Sequence, residues 1–331
     1  MPPSTVTIQD EPVIYDGETY LPVKLSAIRL DTVPLFSLYF RPSADQPFVL
    51  YCRRETPFNE AARAKLHENR IKVLYIRERE RGRYSRYIAD NLEDILNDRK
   101  LPIREKAAVL YDSAQAVVSE VLERPGSREM LQRGKEIVRH TVEFMTSKDF
   151  LLEHMLRTIA CDYYLYTHSV NVVAYSVALA MRTGTTDAPT LREVANGALF
   201  HDVGKKAISE RILKKNGPLT EREWEEMKTY PLKGYETLVE ANCLGEIALD
   251  IVLHHQERVD GSGYPHRLAN GDIPPFARVV TIADVFDALT TDQHHKKGLS
   301  SFRALTDMSR TMQRQLDGSL LRNFVEMMGG S

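Results

Sequence analysis

The chain has 331 residues, 43% hydrophobic and 27% charged, with a formal net charge of -2. It is long enough for two domains and apolar enough for a real core, so a disordered or fibrous chain is excluded. Near-neutrality gives no general attraction to DNA or RNA, and any anionic ligand has to be held by local features.

The first residues show no basic stretch leading into an apolar run, so no signal peptide is expected. Residues 1–90 predict a small α/β module. "VPLFSLYF" (33–40), "PFVLYC" (47–52) and "IKVLYI" (71–76) have strand composition, and Asn59 can cap a short helix between the last two. "RERERGRYSR" (77–86) is too mixed in charge for a nucleic-acid patch, because Glu78 and Glu80 interleave with the arginines and only Tyr84 could stack. It reads as a solvated loop or edge strand.

Residues 91–145 turn helical and form a connector. Ala107, Val109, Leu110, Ala114, Val117, Val118, Val121 and Leu122 wind an apolar stripe, which predicts a homodimer through the connecting helices, and "RPGS" (124–127) breaks the run. Residues 146–331 read as helices joined by polar loops. Thr220 with Glu223 forms a capping box and Pro274-Pro275 marks a helix start. The longest apolar stretch, Val170 to Met181, is too short to span a bilayer and reads as a buried helix. The fold class is therefore α+β: an α/β module, a helical connector and an all-α C-terminal domain. Cys52, Cys161 and Cys243 are odd in number, far apart and without a CxxC spacing, which argues against a disulfide framework and suits a reducing cytoplasm.

Of the ten histidines, His67, His140, His154 and His266 need no special role, and His294-His295 are ambiguous. His201-Asp202 end an apolar run, while His168 and Asp284 sit on apolar faces of two other helices. Burying such groups is costly unless a partner repays it. If the four converge they form a nitrogen and oxygen site suited to a transition metal, and Asp202 could bridge two ions. His254 and His255 would hold the second ion. Neighbours on a helix point about a hundred degrees apart, so both can reach one ion only if the helix ends there, and the loop from Asp260 to Gly263 makes that ending expected.

"HDVGK" (201–205), "LKKNGPLTEREWEEMK" (213–228), "HHQERVDGSGYP" (254–265) and "IADVFDALTTD" (282–292), in this order and spacing, resemble the HD-GYP family, a branch of the HD phosphohydrolases. The resemblance covers residues 146–331. It implies an all-α domain with two divalent transition-metal ions, iron or manganese, that hydrolyses cyclic-di-GMP to the linear dinucleotide pGpG and in some members to GMP. Two such cations can activate a water and clamp a phosphodiester for in-line attack. Carried over by motif, His168, His201, Asp202, His254, His255 and Asp284 match metal ligands. Asp202 and Lys205 match catalytic residues, and Lys205, Gly263, Tyr264, Pro265 and Lys296 lie toward substrate. Residues 1–90 then read as a regulatory or sensory module of a cytoplasmic signalling protein, with a signalling protein as a further partner.

Three positions depart from the family pattern. Tyr164 stands for a glutamate, Tyr230 for the histidine of the "HP" motif, and Gln293 for an arginine expected near phosphate. They leave an alternative open: a degenerate domain that binds cyclic-di-GMP or a protein without efficient turnover. Hydrolysis of another phosphorylated nucleotide fits less well with the complete "GSGYP" loop.

Overall fold

Asp16 and Gly17 take left-handed backbone angles, φ 49° and 73°, and such a pair closes a two-residue hairpin between β1 (Val13–Tyr15) and β2 (Glu18–Lys24). The computed structural model describes residues 12–69, 71, 73–147, 167–292 and 297–329. The chain forms two units, residues 1–113 and 114–331; the division falls within the stretch expected to be a connector.

In the first unit β3 (Leu38–Phe40), β4 (Val49–Cys52) and β5 (Val73–Arg77) complete an antiparallel sheet of order β1-β2-β5-β3-β4. The three expected strands are present but shorter, and β1 and β2 are additional. Pro22, opposite Tyr75, lies beyond the stretch of β2 that pairs with β1, so its missing N–H interrupts no ladder on that side. Along β5, Leu74 and Ile76 are buried on one face, while Tyr75 on the other joins Tyr20 and Tyr39 with Phe48 packed on them. Asn59 caps α1 (Glu60–Glu68), its Oδ1 accepting the Ala62 amide at 3.0 Å.

The arginine-rich stretch is neither loop nor strand. After Arg77 it makes a single 3₁₀ turn and becomes α2 (Arg81–Asn97). Buried Glu80 accepts the Ser37 amide at 3.1 Å, and Tyr84 and Tyr87 set their edges on Phe36 at 5.4 and 5.3 Å. Tyr87, Ile88, Leu92 and Ile95 continue the buried stripe, so tertiary packing overrode the charge pattern. α3 (Ile103–Glu123) follows, and its apolar stripe is buried within the chain.

The second unit is helical throughout its described residues. Ser127 caps α4 (Arg128–Met145) just after the predicted break. α5 (Thr167–Arg182) is buried on almost every side from Ser169 to Ala180, the pattern of a central helix. It packs against α6 (Ala188–Phe200), and a 3₁₀ turn over Val203–Ala207 continues the chain. α7 (Glu210–Leu213) precedes α8 (Glu221–Met227), which carries the complete Thr220–Glu223 capping box. Then come α9 (Tyr230–Ala241), α10 (Glu246–His254), α11 (Pro275–Thr290), α12 (Ser301–Thr311) and α13 (Gly318–Gly329). α11 lies against α5, and α10 against α6. A Cβ on Gly204 would collide with the Tyr230 carbonyl, so glycine at this point of "HDVGK" lets the 3₁₀ turn close on α9. None of the described helices is long and apolar enough to cross a membrane.

Candidate metal centre

Four helices bring the polar residues together. His168 lies on α5, one residue into its described range, His201 and Asp202 follow α6, His255 follows α10, and Asp284 sits midway along α11. His168 Nε2 is 3.2 Å from His201 Nε2, 3.2 Å from Asp284 Oδ1 and 3.7 Å from Asp202 Oδ2. The ligand atoms of His168, His201 and Asp202 all lie within 4.8 Å of one another, as do those of His201, His255 and Asp284. Five residues inferred from separate stretches thus form one cluster, with Lys205 Nζ 2.6 Å from Asp202 Oδ2.

The donors are oriented for a cation. His201 Nδ1 donates to the Ala198 carbonyl at 2.6 Å, leaving Nε2 as a lone pair turned toward the cluster. Asp202 Oδ1 is buried and has no hydrogen-bond partner, a cost that a bound cation removes. The imidazoles of His168 and His201 with the carboxylates of Asp202 and Asp284 make a donor set that fits a divalent transition metal.

Asp287 completes the cluster and is not apparent from motif reasoning. Almost wholly buried, it lies 2.7 Å from His168 Nδ1 through Oδ2, while its Oδ1 accepts from Asn171 Nδ2 at 2.8 Å. A carboxylate behind a ligating histidine fixes the ring and raises its basicity. The available signal was a second acid three residues after Asp284 in "IADVFDAL", one turn along the same face.

Charges inside the cluster are strongly coupled. Burial pushes the Asp202 carboxyl up, but Lys205, His201 and His168 outweigh it and hold the group well below the usual carboxylate range. Asp284 is lowered likewise, against burial, by the hydrogen bond from His168 and the charge of His201. Burial depresses His168, yet Asp284 and Asp287 overcome that and raise it to about 10. Without metal, His168 is therefore an imidazolium at neutral pH. Its contribution to stability is complete below its ordinary value of 6.5 and is lost as pH rises through about 10. A cation must displace that proton, so metal affinity is expected to rise about tenfold per pH unit up to the raised value, with one proton released per ion. Calorimetry in two buffers of different ionisation enthalpy measures the proton; a buffer-independent heat would refute it.

The two adjacent histidines part company. His255 is fully buried, and its Nδ1 donates to the Val252 carbonyl at 2.9 Å, which leaves Nε2 to accept the Tyr230 hydroxyl at 2.7 Å. Burial and neighbouring His201 lower His255 to about 3, so the ring is neutral. Burial, then Asp202, raise the Tyr230 phenol well above its ordinary value. His254 lies instead with Glu257 and His266, its ring 5.4 Å from that of His266. Gln256, directly after the pair, reaches the cluster, its Nε2 donating to Asp284 Oδ2 at 2.8 Å. His255 keeps helical backbone angles, φ -62° and ψ -17°. The pair therefore stays splayed although the helix ends, and the expectation that both serve one ion is not met.

Glu257 fastens the following loop by accepting the amides of His266 at 2.7 Å and Leu268 at 3.0 Å. Gly263 is required there, since a Cβ would collide with the backbone of Glu257 and Arg258. Tyr264, followed by Pro265, sets its ring 6.4 Å from Tyr230 and 5.9 Å from Trp224. An aromatic wall so runs from His255 to a half-exposed tryptophan. Tyr164, Gln293, His294, His295 and Lys296 lie outside the described residues, so the structure bears on neither the departures at Tyr164 and Gln293 nor the substrate role expected of Lys296.

Comparison with known proteins agrees with this geometry. The HD domain family matches residues 136–320. "Cyclic di-GMP phosphodiesterase PA4108" of Pseudomonas aeruginosa is 32% identical over 238 residues, which are 72% of this chain and 55% of that protein. "Cyclic di-GMP phosphodiesterase response regulator RpfG" of Xanthomonas campestris is 33% identical over 217 residues, 65% of this chain and 51% of the relative. The chain thus spans about half the length of these curated relatives. Among solved structures, "Bd1817, a HDG"Y"P protein from Bdellovibrio bacteriovorus" superposes with a TM-score of 0.67 at 23% identity, covering 94% of this chain and all of that one. That likeness concerns the fold.

Proposed function

Because the chain belongs to the HD-domain family, in its HD-GYP branch, we propose that it is a metal-dependent phosphodiesterase that hydrolyses cyclic-di-GMP to pGpG, with GMP as a further product. The observation that carries the reading is Asp202, whose Oδ1 is buried and unpartnered and whose Oδ2 lies 3.7 Å from His168 Nε2 and 3.5 Å from His201 Nε2. A divalent metal bound there supplies Lewis-acid polarisation of a phosphoryl oxygen and an acidified water.

The protein's own groups do the rest. Asp287 and the Ala198 carbonyl hold the rings of His168 and His201 in ligating orientation. Lys205, half-buried and held by Asp202, offsets charge on the phosphoryl oxygens as it develops. Trp224 and Tyr264 offer an aromatic edge for a guanine base, and Lys296 a cation toward phosphate. The donor set suits iron or manganese. The second ion implied by the family resemblance would depend on His255, whose free nitrogen Tyr230 engages.

Residues 1–90 act as regulatory or sensory module, 91–145 as connector and 146–331 as hydrolase of a cytoplasmic signalling protein with a protein partner. Dimerisation through the connecting helices would have to use a face other than the buried stripe of α3.

The test is metal analysis of anaerobically purified protein, followed by turnover of cyclic-di-GMP with added Fe(II) or Mn(II). Trp224, the chain's single tryptophan, reports binding by its fluorescence. Turnover with metal is the expected result. Metal and dinucleotide binding without turnover would sink the enzyme and establish the second reading, a binding module, which Tyr230 and Gln256 beside the donors favour.

A further inference from the structure

From the donors around Asp202 we infer that this is a single-ion centre, in which Tyr230 caps His255 and closes the place of a second metal. The inference rests on the reading of the cluster as a metal site. Four donors are available to one ion: His168 Nε2, His201 Nε2, an oxygen of Asp202 and Asp284 Oδ1. They come from three helices, α5, the end of α6 and the middle of α11, and both imidazole nitrogens lie within 3.8 Å of Asp284 Oδ1 and of Asp202 Oδ2, while Asp202 Oδ1 is buried without a hydrogen-bond partner.

The donors for a second ion are each engaged. His255 has one nitrogen to offer, because Nδ1 is committed to the carbonyls of Val252 and Ile251 at 2.9 and 3.2 Å. That remaining nitrogen is 2.7 Å from the hydroxyl of Tyr230, whose ring is itself buried beneath Tyr264 and Lys205. A lone pair that accepts a phenol O–H is unavailable to a cation.

Gln256 closes the other side. Its amide nitrogen donates to Asp284 Oδ2, and its carbonyl oxygen accepts from Arg258 at 3.3 Å. The side chain is therefore clamped with its donor end, which cannot ligate, toward the cluster. His254 is displaced to Glu257 and His266 and supplies nothing here. At this centre a second ion would be left with Asp202 alone among the described residues, too few protein donors for a transition metal, and His254, Glu257 and His266 form a separate group.

The experiment is metal counting on the full chain loaded anaerobically with Mn(II), by elemental analysis together with electron paramagnetic resonance. The wild type is expected to bind one ion per chain and to give an uncoupled six-line Mn(II) spectrum. Tyr230→His adds an imidazole, and Tyr230→Phe frees the His255 nitrogen without adding a donor. Each is expected to admit a second, weaker ion, with an exchange-broadened spectrum at saturation. Should one variant fail to fold, the other gives the same readout. A wild-type ratio of two would overturn the inference while leaving the metal site intact, and a ratio of one unchanged in both variants would overturn the capping role of Tyr230. A ratio of zero would remove the metal reading itself, and the inference with it.

Discussion

Asp202→Ala is expected to lower cyclic-di-GMP turnover by about a thousandfold or more, in line with loss of a group that holds charge at the reacting centre. Asp202 both offers the unpartnered oxygen and holds Lys205 at 2.6 Å, so one substitution removes a ligand and releases the ammonium. Its effect on the metal-free fold is expected to be small, because the negative charge of Asp284 opposes that of Asp202 and half-buried Lys205 can turn to water. The isosteric Asp202→Asn separates the two roles, since it keeps the shape and an acceptor while removing the charge. Elemental analysis and kcat/KM, measured beside thermal melting of the apo protein, make the comparison. A folded alanine variant keeping a tenth of wild-type turnover would exclude Asp202 from the chemistry.

Asp287→Asn is expected to weaken metal binding about 10- to 100-fold, the range seen when a carboxylate behind a ligating histidine is lost. The wild-type carboxylate meets three donors, Oδ2 taking the His168 ring and the Thr291 hydroxyl and Oδ1 the Asn171 amide. An asparagine has a single oxygen for them, so its own N–H₂ must face a donor in a site with almost no access to water. That mismatch is expected to cost about 1–3 kcal/mol of stability. With less negative charge behind it, His168 also loses part of what raises it to about 10, so the variant's metal affinity should depend less on pH than the wild type's. Metal titrations at two pH values read all of this. An affinity within twofold of wild type would show that Asp287 does not position His168.

Tyr230 and Gln256 show how local the uncertainty in a strong family pattern can be. The motifs around the candidate centre are whole enough to mark the fold and the four residues proposed as donors. Whether the centre works with one cation or two turns on a phenol 2.7 Å from an imidazole nitrogen and on an amide turned by Arg258. Neither contact has a sequence signature, because each depends on which rotamer a neighbouring helix end permits.

What could be read from the chain alone was whatever burial makes expensive. His168, His201, Asp202 and Asp284 stood out because polar groups on apolar helix faces need partners. The capping box at Thr220, the cap at Asn59 and the proline start of α11 were legible because they are satisfied within a few residues. Tertiary structure alone decided the rest. It turned residues 81–97 into a helix by seating Tyr84 and Tyr87 on Phe36, and it recruited Asp287 and Gln256. It also divided His254 from His255, sending one to Glu257 and His266 and the other to His201 and Asp284. The physical reason is angular. Two neighbours that keep helical backbone angles point about a hundred degrees apart, and only the packing of α10 against α6 settles which of them faces the site.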